Sequence, residues 1–205
     1  MKKNTRIGIG GLVGSDKTAI VEAITPLMLD MGVKILIITN DVVTTEDAKR
    51  VQRTLEGVLV EERILGRNRH LPAHGGARRP EHESSDPRRH GSAFPDTDVV
   101  LIESGGGNST LTFCAAPVEF FIYVIDVAAG DKVLRKNGPA ITQSHILIMN
   151  KIDLAPYVGA SLDVMARDSK PMRATNRSCS PTAAPARVSP SRFKSSVGIC
   201  CSTCD

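Results

Sequence analysis

No apolar run in the 205-residue sequence approaches the ~18 positions a membrane-spanning helix needs, so no membrane span is expected. The opening MKKNTRIGIGG has two lysines but no long apolar core followed by a small-residue cleavage site. That argues against export and for a cytoplasmic protein. The net charge of +4 is small and scattered, too weak a footprint for nucleic-acid binding. No internal repeat is visible. Apolar residues make up 41% of the chain, slightly low for a packed domain, and the deficit is uneven. There are five cysteines, an odd number, and Cys179, Cys200, Cys201 and Cys204 crowd the tail; in a cytoplasmic chain they stay reduced.

What is present suits one α/β domain with a sizeable core. RIGIG is a short strand running into a glycine-rich loop. KTAIVEAITPLMLD has helical spacing, with Ile20, Ile24 and Leu27 on one face and Pro26 inside. VKILIIT, DVVLIES, FFIYVID and HILIMN are β-branched apolar runs, the pattern of strands buried on both faces. TTEDAKRVQRTLEG carries helix punctuation at both ends, and VGASLDVMARDSK reads as a further helix. Strands alternating with helices predict an α/β fold: a mostly parallel open sheet with flanking helices, ligands binding where the strands end. Residues 67–93 break the pattern, with six arginines, four of the five histidines and Leu71 as the one large aliphatic. A domain over 1–176 is therefore expected, with 67–93 disordered, followed by an irregular tail over 177–205.

Chemistry concentrates at the strand ends. GGLVGSDKTA reads as a phosphate-binding P-loop, Gly-x-x-x-x-Gly-Lys-[Ser/Thr], with one departure. Gly11, Gly14, Ser15, Lys17 and Thr18 fit a cradle of backbone N–H groups at a helix N-terminus, but Asp16 stands where the pattern has glycine. Lys17 would reach the terminal phosphates and Thr18 would hold Mg²⁺. NKID follows a later strand: Asp153 can accept from guanine's ring N–H and amine together, while Asn150 holds the loop and Lys151 packs along the base. Adenine lacks that donor pair, so the combination favours GTP over ATP. Glu103, ending an apolar strand in ESGGG, is a Mg²⁺ candidate, and Asp41 and Glu46 in TNDVVTTEDA are candidates for Mg²⁺ or a nucleotide-sensitive switch.

Across about two-thirds of the chain, in order, the segments RIGIGGLVGSDKTAIVEAIT, ITNDVVTTEDA, ERILG, LIESGGGN, FIYVIDVAAGDK and NKIDLAPYVGASLDVMARD resemble the UreG family of urease accessory G proteins. The resemblance implies a P-loop GTPase that helps deliver nickel to urease, works as a homodimer with other urease accessory proteins and urease, and uses GTP and Mg²⁺. It carries nucleotide roles to Gly11, Gly14, Lys17, Thr18, Asn150, Lys151 and Asp153, and further roles to Asp41, Glu46 and Glu103.

Two departures are larger than Asp16. The family's Cys-Pro-His metal motif is absent, and residues 67–93 stand in its place. Leu71–His74 can be encoded CTG CCC GCA CAC, which read one base later gives Cys-Pro-His. Ser178–Val188 can be encoded so that a start two bases later gives Val-Phe-Thr-Asn-Cys-Arg-Thr-Gly-Glu-Gly, resembling the family's last strand and turn. Both stretches therefore read as frame-shifted, which demotes His70, His74, His82 and His90, and the CCSTC cluster, as metal sites. The expectation is a nickel-delivery GTPase by descent whose activity Asp16 weakens. The alternatives are a non-catalytic partner-binding remnant or a decayed gene product.

Overall fold

The apolar runs lie side by side in one sheet. The computed structural model describes residues 4–40, 46–66, 94–105, 118–130, 132, 134, 139–173 and 197–200. In chain order the elements are β1 (Thr5–Gly11), α1 (Lys17–Asp30), β2 (Ile35–Asn40), α2 (Glu46–Thr54), β3 (Ile64–Gly66), β4 (Val99–Ser104), β5 (Phe120–Asp126), α3 (Pro139–Gln143), β6 (Ile146–Asn150), α4 (Ala155–Val158), α5 (Leu162–Arg173) and β7 (Val197–Cys200). The strand order is β3-β2-β4-β1-β5-β6-β7, with every neighbour parallel except β7, which runs antiparallel to β6.

Alternation along the strands explains why the runs are apolar throughout. In β5, Ile122 and Val124 join Ile20 and Val21 of α1 and Val51 of α2 in one core. Phe121, Tyr123 and Ile125 point the other way and join Ile141 of α3 and Met165 of α5. A parallel sheet needs crossovers that return over its faces, so both sides of each central strand are covered.

Two local readings change and a third holds. The buried face of α1 is Ile20, Val21 and Thr25, with Ile24 and Met28 packed against it; Leu27 is 38% exposed. At 3.6 residues per turn Met28, not Leu27, falls in line with Ile20, Val21 and Ile24. Pro26 sits inside α1 without ending it. The tail is not irregular throughout, because Val197–Cys200 pairs with β6. VGIC is short and apolar, enough to occupy the backbone donors and acceptors of an open sheet edge.

His145 has a structural task. Phe121 N–H donates to its Nδ1 at 2.9 Å, and its own N–H donates to Phe121 O at 2.7 Å. Its ring also stacks on Phe120, with centroids 4.8 Å apart. The imidazole thus begins the β5–β6 pairing one residue before β6 starts. His145→Ala leaves the Phe121 amide without this acceptor and is expected to cost about 1–3 kcal/mol in urea unfolding. His145→Asn, which keeps an acceptor on a short side chain, should recover part of that loss; equal losses for the two variants would contradict this role.

Candidate nucleotide site

The phosphate loop is shaped by crowding at one end and by left-handed turns at the other. A Cβ on Gly11 would strike Val124 O and come within 2.6 Å of Ser15 Oγ, so only glycine fits where β1 ends. Ser15 is fully buried, and its N–H and Oγ both donate to Leu12 O, at 3.2 and 2.7 Å, which closes the turn. Gly14 has φ +80°. Asp16 has φ 60° and ψ 39°, a left-handed backbone that L-residues other than glycine rarely adopt. Asp16 is the N-cap residue of α1, but its side chain makes no cap hydrogen bond. The α1 N-terminus presents the positive end of the helix dipole.

Lys17 and Thr18 are both buried, each 7% exposed. Lys17 Nζ donates to Leu12 O at 3.1 Å. Thr18 Oγ1 donates to Glu103 Oε1 at 2.7 Å, joining the start of α1 to the end of β4. Glu103 is 2% exposed, and its Oε2 has no hydrogen-bond partner in the described structure. Burial raises the Glu103 carboxyl from the ordinary 4.5 to about 7; the Thr18 hydroxyl opposes the shift and the charge of Asp47 adds to it. Thr18 and Glu103 form a set of hard oxygen donors, one buried and unsatisfied, which fits Mg²⁺.

The loop after β6 meets the phosphate loop directly. Asn150 is fully buried; its Nδ2 donates to Ser15 O at 3.1 Å and its Oδ1 accepts from Lys151 N at 2.9 Å. Lys151 has φ 58°, the other left-handed non-glycine residue among those described. Its Nζ donates to Gly14 O at 2.6 Å and to Asp126 Oδ2 at 2.9 Å, with Asp16 Oδ2 at 3.5 Å. The hydrogen bond to Asp126, then the nearby charges of Asp126 and Asp16, hold the Lys151 ammonium above its ordinary pKa, against the opposing effect of burial. Asp153 follows, exposed, in the turn Ile152–Leu154.

The expected site residues Gly11, Gly14, Ser15, Asp16, Lys17, Thr18, Glu103, Asn150 and Lys151 therefore come together, with Asp153 on the adjoining turn. The Lys151 ammonium is held by Gly14, Asp126 and Asp16, so at most its stem is available to lie along a base. Asp41 lies outside the described residues, and Glu46 opens α2 with its side chain likewise outside. Three neighbours had not been singled out: Asp126, Asp47 and Arg50. Asp126 closes an apolar strand, as Glu103 does one residue before the end of β4, and an acid at such a place was the available signal. Arg50 binds Glu22 of α1 through two bonds, at 2.9 and 3.1 Å. A groove of about 840 Å³ runs along Lys49, Gln52, Arg53, Glu56 and residues 57–61, and shares no residue with this site.

A parallel sheet whose first strand delivers a phosphate loop and whose sixth delivers an Asn-Lys-x-Asp turn defines the class, a P-loop nucleotide-binding protein. Residues 5–179 match the family described as CobW/HypB/UreG, nucleotide-binding domain. Urease accessory protein UreG 2 of Methylorubrum populi is 62% identical over 174 residues, 84% of this chain and 81% of that protein. Urease accessory protein UreG of Photorhabdus laumondii is 59% identical over 174 residues, 84% of this chain and 82% of its own length. The hydrogenase maturation factor HypB of Archaeoglobus fulgidus has the same fold, with a TM-score of 0.59, 24% identity and 82% and 76% of the two chains covered. The chain belongs to the UreG family within the CobW/HypB/UreG group.

The Glu103 carboxyl keeps its proton up to about pH 7, whereas an unfolded glutamate loses it near 4.5. The folded state therefore binds more protons across that window, and its stability falls as pH rises through it. Glu103→Gln is expected to unfold at higher urea than the parent at pH 8, by roughly 1–3 kcal/mol, and to match it near pH 4.5. A gap that stays constant with pH would contradict the buried, proton-holding carboxyl.

Proposed function

We propose that this chain is a GTP-binding accessory protein of urease maturation, descended from a GTPase that supports nickel insertion, and that Asp16 weakens its use of GTP. The contact that carries the reading is Asn150 Nδ2 on Ser15 O, because it sets the base loop against the phosphate loop over one crevice. Phosphates would lie on the Gly11–Thr18 turn, with Lys17 turned to them, and guanine would be read by Asp153. Thr18 and Glu103, with Asp41 by resemblance, would hold Mg²⁺, which supplies charge neutralisation between phosphate oxygens. The names of the relatives support urease accessory proteins and urease as partners, a homodimer is implied by the family, and the cytoplasm remains the expected location.

Nickel is cargo in this reading. Its Cys-Pro-His carrier is missing from the sequence, so delivery by this chain should be impaired. Residues 67–93, with His70, His74, His82 and His90, lie outside the described residues, as do Cys179, Cys201 and Cys204; of Cys200 only its place in β7 is described. The family match ends at residue 179, close to residue 177, where the proposed change of reading frame begins. That supports a tail of altered text. Sequencing the locus tests it: nucleotides that do not spell family residues in the other frames would refute it.

Asp16 acts through charge and backbone together. Two like charges ~4 Å apart oppose each other by roughly 4 kcal/mol at an effective dielectric near 20. The left-handed backbone at Asp16 adds about 1 kcal/mol of strain that glycine would not carry. Lys151 lies 3.5 Å from the carboxylate and offsets part of the charge, but both groups are partly exposed, so the offset is small. Asp16→Gly is expected to tighten Mg²⁺-dependent GTP binding by two to three orders of magnitude in a fluorescent-nucleotide titration, at about 1.4 kcal/mol per tenfold. ATP should not compete in either protein. Equal GTP affinity with and without the substitution would remove Asp16 as the cause.

The second reading, a partner-binding protein that neither hydrolyses GTP nor carries nickel, is favoured by Asp16 and the missing metal motif. A folded chain that ignores GTP even after Asp16→Gly, yet binds the urease accessory proteins, would establish it.

A further inference from the structure

The two loops of the site come from strands that do not touch. The order β1-β5-β6 places β5 between them, so the residue ending β5 lies beneath the place where the loops meet. That residue is Asp126, register partner of Asn150 across the β5–β6 pair. Its Oδ1 accepts from Ala128 N at 2.7 Å, fixing the turn after β5. Its Oδ2 accepts from Lys151 Nζ at 2.9 Å.

We propose that Asp126 is the positioning residue of the base loop and through it sets the site's preference for a purine carrying guanine's 2-amino group. The inference rests on the nucleotide reading above. Lys151 needs holding because its left-handed backbone is intrinsically unfavourable, by about 1–2 kcal/mol. That same backbone turns the chain from β6 into Ile152–Leu154 and so aims Asp153. The ammonium has three acceptors, two on the phosphate loop and one at the end of β5: Gly14 O, more distantly Asp16 Oδ2, and Asp126 Oδ2. A backbone carbonyl is a neutral partner, and Asp16 is both farther away and on the phosphate loop itself. Asp126 is the close, charged and partly buried anchor, 17% exposed at its side chain. Without it Lys151 is free to follow Asp16, and the turn bearing Asp153 loses its fixed register against the base.

The ligand chemistry follows. Asp153 gains from the 2-amino group only if its carboxylate meets the ring N–H and the amine together. Inosine has the ring N–H and lacks the amine. Anchoring should therefore favour guanosine over inosine nucleotides, and loosening should contract that ratio.

The test measures GDP and IDP displacement of a fluorescent GDP in the parent, Asp126→Asn and Asp126→Ala, each also with Asp16→Gly. Asparagine keeps an oxygen for Ala128 N but removes the charge that holds Lys151. Asp126→Asn should weaken GDP by about fivefold to tenfold and leave IDP within about twofold, one hydrogen bond's worth of discrimination. Asp126→Ala should contract the ratio at least as much. Without nucleotide, the rate of Lys151 acylation by acetic anhydride should rise severalfold in Asp126→Asn, because its partner no longer favours the charged amine. Equal losses for GDP and IDP would mean a structural role only and would overturn the proposal, as would an unchanged ratio or unchanged Lys151 acylation. Absence of saturable GDP binding even with Asp16→Gly would overturn the nucleotide reading, and this inference with it.

Discussion

The buried amide of Asn150 bonding Ser15 O is the constraint on which the site depends. It joins loops separated by 135 residues of sequence and by one intervening strand. Asn150 is fully buried, so an unmet amide there would be costly, and both its polar atoms are used. Parallel pairing brings the C-terminal ends of β1 to β6 to one side, and this bond sets two of the loops there against each other. Lys151 adds a second tie to the same loop through Gly14 O. The bond from Thr18 to Glu103 does the corresponding work on the other flank of β1.

Against that frame, Asp16 is a local conflict. The backbone takes the left-handed shape that the loop imposes, although an aspartate occupies the position. The surrounding contacts over-determine the turn: Ser15 is locked to Leu12, Asn150 holds Ser15 O, and α1 accepts its first bond at Asp16 O. The fold therefore persists while the charge remains beside the phosphate cradle. Lys151, the one cation recorded within 4 Å of that carboxylate among the described residues, also serves Asp126 at shorter range. Asp16 and Asp126 thus share a single ammonium group.

Much of this was legible in the sequence because the chemistry is local. β-branched runs mark strands buried on both faces, and VKILIIT, DVVLIES, FFIYVID and HILIMN are β2, β4, β5 and β6. The P-loop and NKID were readable because each is a short pattern of fixed spacing. Asp126 closes an apolar run, which is visible locally, but its place between the two loops comes from strand order, a long-range property. The Thr18–Glu103 bond and the unsatisfied Glu103 oxygen needed coordinates for the same reason. Leu27 was assigned to the buried face because periodicity fixes an angle only to within one neighbour. β7 escaped notice because VGIC sits in text whose composition gave no hint of pairing.

The most direct measurement is hydrogen exchange on the chain as GDP is raised to millimolar levels with Mg²⁺. One crevice built from two loops predicts that amides of residues 11–20 and 150–155 gain protection together, with a single midpoint. Protection confined to one segment, or separate midpoints for the two, would contradict a common nucleotide site.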